Sequence, residues 1–158
     1  MSDKNYGHSL DGNYQNKIVS QTLDRIGPLR YSPDDELLYG GNKPLEFRSE
    51  QIVASKRVKY EGQWVVGTMI REGKGRQTFK DGSMYEGWFR NDKADGKGRL
   101  IHADGDIYEG EWMDDMAHGT GMYKHSDGAS YQGQWQLDKQ HGYGKEDWPD
   151  GSSYTGYY

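Results

Sequence analysis

The sequence predicts an all-β fold, a thin and elongated stack of two-stranded hairpins behind an extended N-terminal arm. Three observations predict it. Tyrosine-led motifs recur at a fixed interval through the last two-thirds of the 158 residues, and the 23 glycines are spaced regularly. Aromatic side chains also make up 13% of a chain that is only 32% hydrophobic. A mean hydropathy of −1.12 would otherwise suggest disorder, but disordered chains are poor in aromatics. Rings that each bury about 150–250 Å² can build a core where aliphatics are few.

Residues 1–57 carry no repeat and read as an extended, mostly irregular arm. Pro28, Pro33 and Pro44 interrupt it, and Ile18 to Ile26 could form one short helix. Its scattered apolar residues (Ile18, Leu23, Ile26, Leu29, Leu37, Leu38) suit an arm that orders by lying along a partner. Met1 to Gly12 is polar and lacks the apolar stretch of a signal peptide.

Residues 58–158 form the repeat domain. The first unit, near 60–84, contains Tyr60-Glu61-Gly62-Gln63-Trp64, then Gly73-Lys74-Gly75, then Asp81-Gly82. The units near 85–107, 108–130 and 131–153 repeat that order from Tyr85, Tyr108 and Tyr131, and a fifth begins over 154–158. Their leading tyrosines lie 25, 23, 23 and 23 residues apart, with two extra residues between Trp64 and Gly73. In Tyr-x-Gly-x-Trp the alternation has period two, so Tyr, Gly and Trp share one strand face. Glycine inside a strand marks the close approach of another group, here the rings of neighbouring units. Asp-Gly signals a turn because Gly accepts positive φ. One hairpin is marginal in water, whereas hairpins in series bury a continuous row.

Four copies of Y-x-G-x-W/F, G-x-G and D-G in register resemble the MORN (membrane occupation and recognition nexus) repeat. The departures are Trp88-Phe89, two rings where one is usual, and Gln132 in place of Glu. The resemblance implies an extended, twisted antiparallel β-ribbon and a non-catalytic scaffold that binds other proteins. The stretch from Lys93 to Asp106 is most similar to ciliate MORN proteins, which implies the cilium, axoneme or cytoskeleton; with no apolar run of membrane-span length and no signal-peptide stretch, the expected setting is cytoplasmic. Two alternatives stay open: a membrane tether that binds anionic phospholipid, or the regulatory part of a longer enzyme such as a phosphoinositide kinase.

No residue pattern supports catalysis. Gly73-Lys74-Gly75 lacks the P-loop pattern and opens no helix, so no catalytic residue, cofactor or small-molecule substrate is expected. The absence of Cys removes thiolate metal sites. His118 and His141, and His102 and His125, recur in register, but without a third ligand they make no metal centre. Acidic residues between Asp104 and Asp115 read as solvated turn and strand carboxylates.

The expected partner-binding residues are the aromatic row Tyr60, Trp64, Tyr85, Phe89, Tyr108, Trp112, Tyr131 and Trp135, because Tyr and Trp bring large area with few rotatable bonds. Some of these rings should pack within the ribbon and others line a shallow groove. Lys56, Arg57, Arg71, Lys74, Arg76 and Arg99 are the expected contacts for an anionic partner or lipid. Charge is uneven: residues 51–100 hold 11 basic and 6 acidic side chains, residues 101–158 hold 3 and 11. With an overall charge of −5 and no recognition motif, nucleic acid is not an expected partner.

Overall fold

A computed structural model describes residues 14–158; the polar stretch Met1 to Gly12 lies outside them. Ten strands form one antiparallel sheet in which every strand neighbours the next in sequence. They are β1 (Leu45–Val53), β2 (Val58–Val65), β3 (Arg71–Phe79), β4 (Met84–Arg90), β5 (Lys93–Ile101), β6 (Ile107–Met113), β7 (Met116–Lys124), β8 (Ser130–Gln136), β9 (Lys139–Asp147) and β10 (Ser153–Tyr157). Two short helices precede them, α1 (Lys17–Ile26) and α2 (Pro33–Tyr39).

The sheet is one layer thick, so its core lies on its surface. Glycines face glycines along its midline: Gly62↔Gly75↔Gly87↔Gly98↔Gly110↔Gly121↔Gly133↔Gly144↔Gly156. This bare track is where the tyrosine rings lie. A Cβ on Gly121 would sit 2.3 Å from the Tyr108 hydroxyl, and one on Gly110 would sit 2.4 Å from the Gly121 Cα. Each leading tyrosine donates its hydroxyl hydrogen to the backbone carbonyl three residues on, for example Tyr108 to Glu111 at 2.8 Å.

Two kinds of turn join the strands. Asp81-Gly82 and its counterparts make turns closed by bonds such as Gly105 N–H to the His102 carbonyl, 2.9 Å. On the opposite edge of the ribbon, tight two-residue turns run through Asn91-Asp92, Asp114-Asp115 and Leu137-Asp138, all at positive φ. The paired left-handed residues suit the twist of a hairpin. The aspartate there has a second task. Its carboxylate accepts an N–H from the second residue of the preceding hairpin's second strand, Asp115 from Ala94 and Asp138 from Ala117, each 2.7 Å. Its own N–H donates back to the same residue, Asp115 to the Ala94 carbonyl at 2.9 Å and Asp138 to that of Ala117 at 3.0 Å. Successive hairpin tips are thereby tied together. The two extra residues of the first unit fall in the longer loop 66–70.

Residues 14–53 are more structured than their composition suggests. Asn16 caps α1 by accepting the Val19 N–H, and its amide donates to the carbonyls of Asp81 and Ala103 in two successive ribbon turns. Ser32 and Asp35 cap α2 reciprocally, with Pro33 in the first turn, where its missing N–H costs nothing. The sheet itself begins ahead of the repeats: β1 pairs with β2 from Leu45↔Val65 to Val53↔Val58, with an irregularity between Arg48 and Gln51.

Candidate functional site

Residues directly opposite across strands share a face of the sheet, so the register defines two faces. The aromatic face carries the expected rings as a continuous zigzag. Its order is Trp64, Tyr60, Phe89, Tyr85, Trp112, Tyr108, Trp135, Tyr131, Tyr158, Tyr154, with every neighbouring pair 5.0–5.4 Å apart and nearly perpendicular. Edge-to-face contacts at this distance are the favoured ring geometry, worth about 0.5–1.5 kcal/mol each beyond burial. Trp112 and Trp135 also donate their indole N–H to the carbonyls of Gly98 and Gly121, both 3.1 Å. Burial raises the Tyr85, Tyr60 and Tyr108 hydroxyl pKa above the ordinary tyrosine range, with Arg71 pulling Tyr60 back.

This geometry corrects the expected partner contacts. All eight rings named from the sequence are buried, Trp112 the most open at 9%. A one-layer sheet has no second sheet to cover it, so its own rings fold flat onto the glycine track and become the core. They shape the ribbon, and of the eight Tyr85 and Trp112 also border a hollow beside the β1–β2 turn.

The basic residues also divide differently from the expectation. Arg71 is buried beneath Tyr60 and Phe89, bonded to Asp92 and Gln77. It stands at the place held by Ala94 and Ala117 in later units. Arg76 and Arg99 belong to a charge ladder on the other face, Glu61–Arg76–Glu86–Arg99–Glu109. Glu86 there takes Arg76 at 3.0 Å and Arg99 at 3.4 Å. Lys74 reaches Glu36 at 3.1 Å. Of the six, Lys56 and Arg57 remain outward on the β1–β2 turn.

The ladder is where the arm docks. The Leu29 N–H donates to Glu86 at 2.8 Å, and Arg99 donates to the Gly27 carbonyl at 2.6 Å. Tyr31 and Tyr39 pack on Trp88 at 5.8 and 5.9 Å. Burial, then the Glu86 charge, pushes the Tyr31 hydroxyl pKa up. Trp88 takes the place that Gln63, Glu111 and Gln134 fill in the other units, where the side chain accepts a backbone N–H from the next strand. The unusual second ring of Trp88-Phe89 is thus the arm's anchor. Leu37 and Leu38 point away from this contact and are exposed.

The in-register histidines do not meet as pairs. The Tyr123 ring sits 5.7 Å from His102 and 4.7 Å from His125. His125 lies 3.4 Å from Asp106, which also accepts the Tyr123 hydroxyl at 2.7 Å. The carboxylates between 104 and 115 are spread over both edges and the ladder face. No group of three or more His, Asp or Glu that could hold a metal occurs among the described residues.

The fold defines a class: a one-layer repeat ribbon whose rings build its core and whose opposite face packs against the chain's own residues 27–39. The MORN repeat profile matches residues 70–84, 85–107, 108–130 and 131–153, more than half of the chain, and the chain belongs to the MORN repeat family. Among curated proteins none matches. Among solved structures, the chain is similar to the TCP domain of SAS-4 (dCPAP) of Drosophila melanogaster, which was solved with a proline-rich motif of Ana2 (dSTIL). Identity is 14% and the TM-score 0.41, over 69% of this chain and 58% of that one.

Proposed function

We propose that this chain is a non-catalytic scaffold that holds other proteins within a larger assembly. One observation carries the reading. The ladder face already holds a polypeptide segment, its own residues 14–41, through side chains that bond backbone groups and through one buried tryptophan. Bonds directed at backbone demand little of the ligand's sequence, and a large ring in a desolvated site supplies affinity. MORN repeats are generally non-catalytic, which supports the reading.

Membrane tethering through all six expected cations is the weaker reading, because four of them are spent within the fold. The setting in a cilium, axoneme or other cytoskeletal structure rests on the resemblance of residues 93–106 alone.

Cross-linking mass spectrometry on the tagged full chain in its native cells tests the reading. The expected result is one or more stoichiometric proteins cross-linked to β3–β10, with the tag on a cytoskeletal or ciliary structure. A diffuse chain that sediments alone and yields no cross-link to the ribbon would overturn it.

A further inference from the structure

On the aromatic face, the β1–β2 turn curls over the ribbon and leaves two adjoining hollows beside it. One, of about 270 Å³, is bounded by Val58, Phe79, Tyr85, Leu100 and Trp112. The other, of about 450 Å³, shares Lys56, Phe79 and Leu100 with the first and adds Arg57 and Lys80. Together they fall in the size range of ligand sites.

The charges on this groove do not cancel. Asp81 lines it, but its carboxylate accepts the N–H and hydroxyl of Ser83 at 2.9 and 2.6 Å. Asp115 lines it too and accepts the Ala94 N–H. Lys56 reaches Asp92 only at 3.8 Å. Among the described residues no carboxylate lies within ion-pair distance of Arg57 or Lys80. Lys56, Arg57, Arg71 and Lys80 outnumber Asp81, Asp92 and Asp115 around a floor of apolar side chains, so the groove keeps an excess of positive charge.

We infer that this groove binds an acidic segment of a partner protein, with one large apolar side chain seated between Phe79 and Leu100 and carboxylates against Lys56, Arg57 and Lys80. The inference rests on the scaffold reading and names the partner chemistry for one surface of it. A polypeptide fits better than a bilayer, because the apolar groups lie at the floor of a hollow, which a flat membrane surface cannot reach. Rim charges of this kind govern encounter rate and salt dependence more than the final contacts.

Fluorescence anisotropy on the full chain tests it. The probes are labelled short peptides in which Asp and Glu flank a central Leu or Phe, with matched peptides carrying Lys or Ala at those places. Binding should favour the acidic apolar peptides and weaken steeply with salt. It should fall about tenfold or more in the double variant Arg57→Asn, Lys80→Glu. Asn is chosen at 57 because that residue sits at φ 57, which Asn tolerates. An unchanged circular-dichroism spectrum and unfolding midpoint separate lost binding from lost fold. No preference for acidic peptides, or equal binding by the variant, would overturn the groove. So would phosphatidylserine vesicles that bind the chain and displace the peptide, or salt-sensitive self-association of the chain that displaces it. If the variant keeps its stoichiometric partners in cells through cross-links elsewhere on the ribbon, the groove falls and the scaffold reading stands.

Discussion

Replacing Gly121 with alanine adds one methyl group to β7, and the geometry makes that methyl expensive. Its Cβ would lie 2.3 Å from the Tyr108 hydroxyl oxygen and 2.6 Å from the adjacent ring carbon, against about 3.5–4.0 Å for an ordinary contact. Neither side can yield. The Tyr108 ring is held at 5.2 Å from Trp112 and 5.1 Å from Trp135, and the Gly121 backbone is paired with Gly110 and Gly133. Overpacking with small shifts costs about 1–3 kcal/mol. Expelling the ring costs about 3–5 kcal/mol. Against this stands about 0.4–1 kcal/mol gained because alanine restricts the unfolded chain. The net is a loss of about 2–4 kcal/mol. Gly121 is not at positive φ, so backbone strain adds nothing. Urea unfolding followed by tryptophan fluorescence reads the change. Gly151→Ala is the control: it has open space and φ 91, so it loses only the left-handed penalty of about 1–2 kcal/mol. If the glycines were there only for flexibility, Gly121→Ala would be neutral or stabilising, and that result would refute the reasoning.

Three further outcomes are expected. Asp138→Ala removes the acceptor for the Ala117 N–H and places alanine at φ 68, so it should cost about 2–3 kcal/mol in thermal or urea unfolding, while Asp138→Asn stays within about 0.5 kcal/mol. Trp88→Gln should leave the ribbon folded, because the other units carry Gln or Glu at that place, yet free the arm; hydrogen exchange over residues 27–41 should rise while β6–β9 stay protected. Raising pH should unfold the chain: burial raises the Tyr85, Tyr60 and Tyr108 pKa in the folded state, so their stabilisation is present below the unfolded value of about 10 and is lost above it. Stability measured by urea titration should therefore decline from about pH 10 upward, and tyrosinate absorbance should appear together with loss of the strand signal.

What the sequence displays and what it conceals follow from the range of each interaction. The zigzag was legible because Tyr, Gly and Trp lie two residues apart on one strand and recur every 23 residues, so local alternation already placed them on one face. Their burial was not, since nothing in one strand says that a single-layer sheet folds its rings onto its own midline. Asp92, Asp115 and Asp138 repeat at the same interval, but their bonds reach back 21 residues to Arg71, Ala94 and Ala117, and only the register reveals that. The same holds for Arg76 and Arg99, which read as a basic patch until pairing sets each beside a glutamate. The arm looked irregular because its order comes from contacts with β3–β6; its local signs were Ile18 to Ile26, read as a short helix and found as α1, and the unread helix start Ser32-Pro33-Asp34-Asp35. The second ring at Trp88-Phe89 was visible as an anomaly, and docking of Tyr31 and Tyr39 explains it.

Proton NMR of the intact chain addresses the ring-on-glycine track directly. The α-protons of Gly75, Gly98, Gly121 and Gly144 should be shifted upfield by the rings lying over them, with nuclear Overhauser contacts to Tyr60, Tyr85, Tyr108 and Tyr131 respectively. Glycine α-protons at random-coil positions, with no contact to those tyrosine rings in a chain that still shows β-structure, would contradict it.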